Sequence, residues 1–221
     1  VPMGLGNHRS NMPQGGIDQT IGPLPGWAAA YLVTNDKRAQ DSLLANADAG
    51  GSFSIHYRDD GGQGGNKVGY PTSIIEHPSG GMPEQSGGDY ANTVSPNTVP
   101  YVPDTAHQPS VAYLPYLITG DYYYLEELQF WVNYSFINGE QSVVNARAYD
   151  KGYVRGHQER GQAWALRELG RAAYVTPDAH PLKADLNTWL ANNRVWYTQA
   201  YVDGTTGDFK NNFGAIDRGD L

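Results

Sequence analysis

The amino-acid sequence predicts an all-α protein made of antiparallel helix-pair repeats with long loops between the pairs. Apolar residues recur at helical spacing in three separate regions. Each region is divided by a short turn that begins with Thr and ends with Asp, at Thr34–Asp36, Thr119–Asp121 and Thr176–Asp178. The last residue of such a turn can cap the next helix, and so short a turn makes the two helices antiparallel neighbours. The repeated unit is therefore a helix, a turn and a second helix.

The first helix pair is predicted at residues 23–50. Its first helix contains the apolar run Trp27–Val33. Its second helix has one apolar face, formed by Ala39, Leu43, Leu44 and Ala47. The turn between the two helices ends at Asp36, whose carboxylate can accept hydrogen bonds from the free N–H groups of the second helix.

The second and third pairs are predicted at residues 105–137 and 157–203. In the second pair the apolar run Val111–Ile118 precedes the turn, and an aromatic-rich helix follows it. In the third pair, apolar residues at helical spacing lie in Ala165–Ala173 before the turn and in Leu182–Trp196 after it. All three pairs are predicted to share the same turn.

A loop insertion is predicted at residues 61–103, between the first and second pairs. This stretch is rich in Gly, Pro, Ser and Asn and has no sustained hydrophobic period. A helix pair with one apolar face on each helix cannot bury that face alone, so we expect neighbouring pairs to stack. Stacked pairs form either an open solenoid or a closed ring.

Two turn motifs resemble those of a known architecture. Tyr31–Asp36 reads TyrLeuValThrAsnAsp, and Tyr116–Asp121 reads TyrLeuIleThrGlyAsp. Both resemble the helix-pair turns of the (α/α) toroid proteins, an architecture used by many polysaccharide lyases and glycoside hydrolases. The resemblance implies a partial (α/α) toroid and an activity on polysaccharides. A complete ring would need about twice the helices visible here, so residues 1–221 are expected to be part of a larger repeat domain.

Composition excludes several classes of partner and site. The chain has 23 acidic and 15 basic residues and a formal charge of −8, with no long run of either sign. This balance argues against a nucleic-acid or anionic-membrane partner. The lack of cysteine excludes disulfides and thiolate metal sites. No stretch approaches the roughly 20 apolar residues of a membrane span. A secreted or periplasmic location is favoured.

Polar residues are predicted to gather at one end of the helix pairs. In antiparallel pairs, the start of each first helix and the end of each second helix lie at the same end, opposite the short turns. Four of the six histidines, all except His8 and His77, are assigned to this long-loop end. Functional residues concentrate on loops at one end of a rigid scaffold. We therefore expect the site at this end.

His107 stands at the predicted start of the second pair, after Asp104 and before Pro109. Asp104 or Thr105 can cap the helix that follows. His107 is a candidate general base or acid, or a group that binds a substrate carboxylate at the helix N-terminus. The alternative is a histidine that only ties the capping loop together.

The densest polar cluster precedes the third pair and contains His157, Glu159, Arg160 and Gln162. His157 and Arg160 are three residues apart and share a helical face. Arg160 can bind a sugar carboxylate or sulfate through two parallel hydrogen bonds, with Glu159 as a proton carrier. The alternative is a solvated first helical turn, where acidic residues favour the helix dipole.

His56, Tyr57 and Arg58 follow the first pair in a short extended segment that ends at Asp59. Tyr or His beside Arg suits β-elimination of a uronate, because Arg neutralises the carboxylate and Tyr or His removes the C5 proton. Hydrolysis instead needs two carboxylates about 5–10 Å apart. Candidates for that pair are Asp59, Asp104, Asp150 and Glu159. The sequence leaves the choice between lyase and hydrolase open.

Two further motifs are interpreted as structural. Tyr122–Tyr124 is predicted to pack between helices, and Glu126 and Glu127 are predicted to supply helix-opening charge at the turn end, far from the histidine cluster. Asp59–Asn66 resembles an oxygen-rich calcium loop but lacks the spacing and the closing Glu of an EF-hand, which favours an ordinary loop.

These observations predict a carbohydrate-active protein that acts on a polysaccharide by lyase or hydrolase chemistry, without a metal or cofactor. The predicted catalytic residues are His107, His157, His56, Tyr57, Asp104 and Glu159. The predicted substrate-binding residues are Arg58, Arg160, Gln108 and Gln158. The alternative is a non-catalytic helical-repeat structural or interaction module that self-assembles or joins the remainder of a longer chain, as a fragment of an extracellular assembly.

Overall fold

The described part of the chain is helical. The structure, a computed structural model, describes residues 6–8, 19–53, 55–59, 67–71, 103, 105–137, 152, 154 and 159–203. Within these residues there are six α-helices and no β-strand, which confirms the all-α prediction. None of the described helices has both the length and the apolarity that crossing a lipid bilayer requires.

The helices fall into the three predicted regions. They are α1 (Gly26–Thr34), α2 (Lys37–Asp48), α3 (Tyr113–Thr119), α4 (Tyr122–Ile137), α5 (Glu159–Val175) and α6 (Lys183–Tyr197). Three shorter helical segments adjoin them: the 3₁₀ helices Ala49–Ser52 and Thr105–His107, and the π-helical turn Thr198–Val202. The two helices of each pair contact one another, and α4 also contacts α5 of the next pair.

The first two turns share one hydrogen-bonding pattern. The Thr34 and Thr119 hydroxyls donate to the carbonyl four residues earlier, at 2.7 and 2.8 Å, and accept the Asp N–H two residues later, at 3.2 and 3.1 Å. The middle residue is left-handed, with φ of 49° at Asn35 and 67° at Gly120. The Asp carboxylate then accepts an N–H of the following helix, at 2.7 and 3.0 Å.

The third turn differs, so the prediction that all three turns are alike is wrong. Thr176 is buried, and its hydroxyl accepts a hydrogen bond from Gln129 Nε2 at 3.3 Å instead of ordering the turn. Pro177 occupies the middle position, where its ring fixes φ near −65° and prevents a left-handed conformation. The connection is longer, and α6 begins at Lys183 without a side-chain cap.

Helix α4 is the central helix of the described structure. Almost all of its residues from Tyr124 to Phe136 are buried, with the Trp131 and Tyr134 side chains among the largest. A helix that is buried on every side belongs to the interior of a core. The main core joins α4 to α5 and to Phe53 and Ile55, which follow the first pair.

The buried polar side chains of α4 connect it to different parts of the chain. Glu127 contacts His56, Gln129 contacts Thr176, Asn133 donates to the Tyr57 carbonyl, and Gln108 donates to Ser135. A buried polar group is costly unless it is hydrogen-bonded, so each contact fixes where a segment lies against α4. These contacts set the positions of the candidate site residues.

The N-terminal residues Gly6–His8 pack against the end of α2. His8 is buried, and its Nε2 donates to the Asn46 carbonyl at 2.7 Å. The Asn46 side chain accepts the Asn7 N–H at 2.6 Å. The His8 ring also lies edge-on to Trp27 and Phe53, with centroids 5.3 and 5.5 Å away. His8 therefore anchors this segment in an apolar site.

Candidate functional site

The segment Ile55–Asp59 leaves the first pair and runs beside α4. Ile55 is fully buried, and Tyr57 packs against the main core. His56 and Arg58 instead contact the α4 side chains of Glu127 and Glu126. Side chains alternate between the two faces of an extended chain, which explains this division. The proposed base His56 and the proposed base Tyr57 therefore do not share one face.

His56 forms a dyad with a buried carboxylate. Its Nε2 lies 2.8 and 3.0 Å from the two carboxylate oxygens of Glu127. The Glu127 side chain is only 4% exposed, whereas the His56 side chain is 31% exposed. Because a carboxylate only accepts hydrogen bonds, Nε2 carries the proton. No described residue hydrogen-bonds to Nδ1, so in neutral His56 this nitrogen has a lone pair that can take up a proton.

Arg58 forms a two-fold hydrogen-bonded ion pair beside this dyad. Its two terminal nitrogens each lie 2.7 Å from a carboxylate oxygen of Glu126. One of them also donates to the Gly69 carbonyl at 2.8 Å, and the guanidinium lies 4.9 Å from the centre of the Phe130 ring. The hydrogen bonds that Arg58 donates to Glu126 raise the pKa of Arg58 above its usual value. Arg58 is therefore committed to protein groups.

Three rings lie next to this ion pair. The His180 ring is 5.3 Å from the Tyr70 ring and 6.3 Å from the Tyr122 ring, measured between centroids. Burial and then the charge of Glu126 raise the pKa of Tyr122. Burial lowers the pKa of His180, and the charge of Glu126 opposes that effect. The pair Arg58–Glu126 therefore joins the dyad to an aromatic cluster.

Two sequence-based placements are wrong. Glu126 and Glu127 were predicted to lie far from the histidine segment, yet they contact Arg58 and His56 directly. His180 was assigned to the long-loop end but lies in the turn between α5 and α6. The first error arises because the end of α2, from which this segment continues, lies against the start of α4, where Tyr123 and Tyr124 contact Asp48.

A second histidine contact lies further along α4. Arg160, in the first turn of α5, donates to His107 Nε2 at 3.0 Å. The neighbouring Gln108 donates to Ser135 at 3.2 Å, whereas His56 contacts Glu127. Glu127 and Ser135 are about 12 Å apart along the axis of α4. His56 and His107 thus belong to separate clusters, His56 with Glu127 and His107 with Arg160.

The remaining predicted residues have other positions. Gln108 is fully buried, and its carbonyl accepts from Arg167, so it connects interior segments. Glu159 is the exposed first residue of α5. Asp59 is buried, and its carboxylate accepts the Lys67 N–H at 2.8 Å, which holds Lys67 beside it. Four of the candidate residues lie outside the described residues, namely Asp104, Asp150, His157 and Gln158.

Tyr123 and Tyr124 have the packing role that the sequence predicts. The Tyr123 hydroxyl donates to the Asp48 carbonyl at 3.0 Å and accepts the Gly51 N–H at 3.1 Å. The Tyr124 hydroxyl donates to the Asp48 carboxylate at 2.7 Å. Both phenols therefore hold the end of α2 against the start of α4. The sequence assigns Glu126 and Glu127 only the role of helix-opening charge. The one sign of a role in the site is that two glutamates stand next to each other in the chain.

The His56 dyad can transfer a proton. A buried carboxylate fixes the ring orientation and stabilises the imidazolium that forms when the other nitrogen takes up a proton. In the part of the chain that the structure describes, no three His, Asp or Glu side chains are grouped to hold a metal ion. No family model, curated protein or solved structure matches this chain.

Proposed function

We propose that the protein processes a polysaccharide by proton transfer at His56. The single observation that supports this proposal best is the dyad of partly exposed His56 and buried Glu127, with Nε2 occupied and Nδ1 available. Such a dyad is how a protein holds a histidine as a general base. Glu127 acts through His56 and is a positioning residue.

Elimination fits this dyad better than hydrolysis. A base removes the C5 proton of a uronate, the electron pair forms the C4–C5 double bond, and the C4–O bond to the next sugar breaks. The leaving oxygen then takes up a proton. Hydrolysis requires one carboxyl group to act as an acid and a second as a base or nucleophile. Beside His56, Glu126 pairs with Arg58 and Glu127 pairs with His56, so neither carboxylate is available for those roles.

The role proposed for Arg58 changes as a consequence. The sequence suggested that Arg58 binds substrate charge, but both ends of its guanidinium bind Glu126. Bidentate pairs of this kind fix geometry as well as charge. We assign Arg58 the role of holding Ile55–Asp59 against α4, so that His56 stays in register with Glu127.

The experiment is to incubate the protein with a panel of uronate-containing and neutral polysaccharides. Elimination yields an unsaturated uronate with ultraviolet absorbance, and hydrolysis yields reducing ends without that absorbance. We expect absorbance from a uronate polymer, and a loss of about 10²–10⁴-fold in the His56→Gln variant. Reducing ends alone would move the proposal to hydrolysis. Full turnover by His56→Gln would refute the role of the dyad.

We further propose that the helix pairs belong to a partial toroid or a solenoid. Residues after the first pair, in the second pair and in the third pair contribute to one core. Shared cores between successive pairs are how helical repeats extend in one direction. A solution scattering profile would distinguish a curved stack of pairs from a closed globule.

The second candidate function is a helical-repeat interaction module. Apolar side chains are exposed near the turns of the first two pairs: Leu32 and Leu117, at equivalent positions, are 54% and 50% exposed, and Val33 is 86% exposed. Apolar surface of this kind marks contact sites when it is contiguous. Light scattering of Val33→Asp and Leu117→Asp variants tests this candidate. Dissociation of an assembly present in the unchanged protein would favour it, whereas a monomer in all cases would count against it.

A further inference from the structure

The three rings beside the Arg58–Glu126 pair form a surface with unused polar groups. Tyr70 follows Lys67, which Asp59 holds, Tyr122 begins α4, and His180 lies in the turn between α5 and α6. Tyr122 is 50% exposed. No described residue hydrogen-bonds to the Tyr70 or Tyr122 hydroxyl. Three separate segments thus bring aromatic rings to one place, and two of these rings have a hydroxyl without a described hydrogen-bond partner.

His180 contributes its ring to this surface. Its Nδ1 accepts the Leu182 N–H at 3.1 Å, which fixes the ring in the turn between α5 and α6. Nε2 is buried, so a ligand on the surface does not reach this nitrogen. His180 therefore offers its ring and not a hydrogen-bond donor.

The charges at this surface cancel. Glu126 carries one negative charge and Arg58 one positive charge, and the two are joined by a pair of 2.7 Å hydrogen bonds. The three rings add no charge while His180 is neutral. A ligand that fits here has an apolar face for the three rings and a rim of hydroxyl groups for the hydroxyls of Tyr70 and Tyr122. A pyranose ring has both features.

We propose that Tyr70, Tyr122 and His180 form a subsite that binds an uncharged sugar ring of the polysaccharide, next to the His56 dyad. This inference rests on the proposed function. It adds that the sugar bound next to the one at His56 is uncharged. Tyr122, Glu126 and Phe130 share one face of α4 at four-residue spacing. Tyr122 and Glu127 are about 8 Å apart along the helix axis, close enough for neighbouring sugars of one chain to reach both sites.

The test is calorimetric titration of the full-length protein with neutral hexose oligosaccharides and with uronate oligosaccharides. Tyr122→Ala should weaken binding of a neutral oligosaccharide about tenfold or more, and Tyr122→Phe should have a smaller effect because it keeps the ring. Tyr174→Ala is the matched control, because this tyrosine is 77% exposed on α5 and lies outside the cluster.

The outcomes separate the two proposals. Loss of binding in Tyr122→Ala but not in Tyr174→Ala supports the subsite, whether or not His56→Gln affects turnover. Equal binding by Tyr122→Ala and the unchanged protein overturns the subsite and leaves the His56 proposal in place if His56→Gln still abolishes turnover. Absence of binding to every oligosaccharide overturns the subsite, and turnover of the polysaccharide panel then decides the His56 proposal alone. Thermal melting of each variant verifies that it is folded.

Discussion

His56 and His107 are held by partners of opposite charge, and this difference decides what each ring can do. Nε2 of His56 donates to the Glu127 carboxylate, whereas Nε2 of His107 accepts from the Arg160 guanidinium. A guanidinium has no lone pair to offer, so His107 must keep Nε2 unprotonated for this contact. The two histidines therefore differ in the hydrogen-bonding role of Nε2, although the sequence makes both of them candidate bases.

The position of each partner also differs. Glu127 lies on the buried central helix α4, and Arg160 lies in the first turn of α5. A buried carboxylate is held rigidly and strengthens an electrostatic contact, because water does not screen it. The contact between His56 and Glu127 is therefore suited to proton transfer. The contact between His107 and Arg160 is suited to holding Thr105–His107 against α5.

The largest expected effect separates the two pairs by turnover. Glu127→Gln should lower kcat about 10³-fold with little change in KM, because a neutral amide neither fixes the same tautomer nor stabilises imidazolium. The pH profile of the residual activity should change as well, which a purely structural role would not produce. His107→Gln should leave kcat within about threefold. Equal losses in the two variants would contradict the comparison.

The next effect extends the comparison to His8, which is buried beside the rings of Trp27 and Phe53. Burial lowers the pKa of His8 from 6.5 to about 4, and the hydrogen bond to Asn46 opposes this only in part. Below pH 6.5 His8 is protonated in the unfolded chain but stays neutral in the folded protein. The contribution of His8 to the free energy of unfolding is therefore fully present above pH 6.5 and decreases towards pH 4. The loss from this group amounts to about 3 kcal/mol.

Urea unfolding at neutral pH and at pH 4 measures this contribution. His8→Gln keeps an N–H donor for Asn46 but does not titrate, so its free energy of unfolding should fall less on acidification than that of the unchanged protein. The carboxylates contribute equally to both proteins and cancel in the difference. If both proteins lose the same free energy between the two pH values, His8 is not the acid-sensitive group.

A smaller effect measures the strength of the contact between His107 and Arg160. Arg160→Met keeps much of the side-chain volume but removes the donor at 3.0 Å, and it should lower the free energy of unfolding by about 1 kcal/mol. A double-mutant cycle with His107→Leu should recover a coupling of similar size. Arg38→Met is the control, because Arg38 is 91% exposed. A coupling near zero would remove the structural role assigned to this pair.

The smallest expected effect concerns Arg58. It distinguishes the role of Arg58 in positioning His56 from its contribution to the free energy of unfolding. The Arg58 side chain is 44% exposed, so solvent screens its ion pair with Glu126. Arg58→Met should cost only about 0.5 kcal/mol of stability, and less in high salt. The same variant should still reduce turnover, because the His56 segment loses its anchor. A large loss of stability without loss of turnover would refute the positioning role.

The turns show how far the sequence could be interpreted. Thr34 and Thr119 form the same turn because Asn35 and Gly120 both tolerate a left-handed backbone. Pro177 at the corresponding position excludes that conformation, and this exclusion was available from the sequence. A comparison of the Thr and Asp positions alone therefore places all three turns in one class. The middle residue shows that the third turn differs from the first two.

The site was predicted in part. The alternation of Ile55–Asp59 correctly separates His56 and Arg58 from Tyr57, because a strand-like segment places successive side chains on opposite sides. The sequence could not supply Glu127 as the partner of His56, since the two residues are 71 positions apart. Sorting residues by the two ends of the helix pairs failed because the end of α2 lies against the start of α4, so the loop end of the first pair meets the turn end of the second.

Local sequence patterns predict the helical class and two of the three turns. These features depend on contacts within about four residues, which hydrophobic periodicity and capping residues encode directly. The tertiary structure alone decided that His56 meets a carboxylate and His107 a guanidinium. That choice depends on how segments distant in the chain dock on α4, where burial requires each polar group to find a partner.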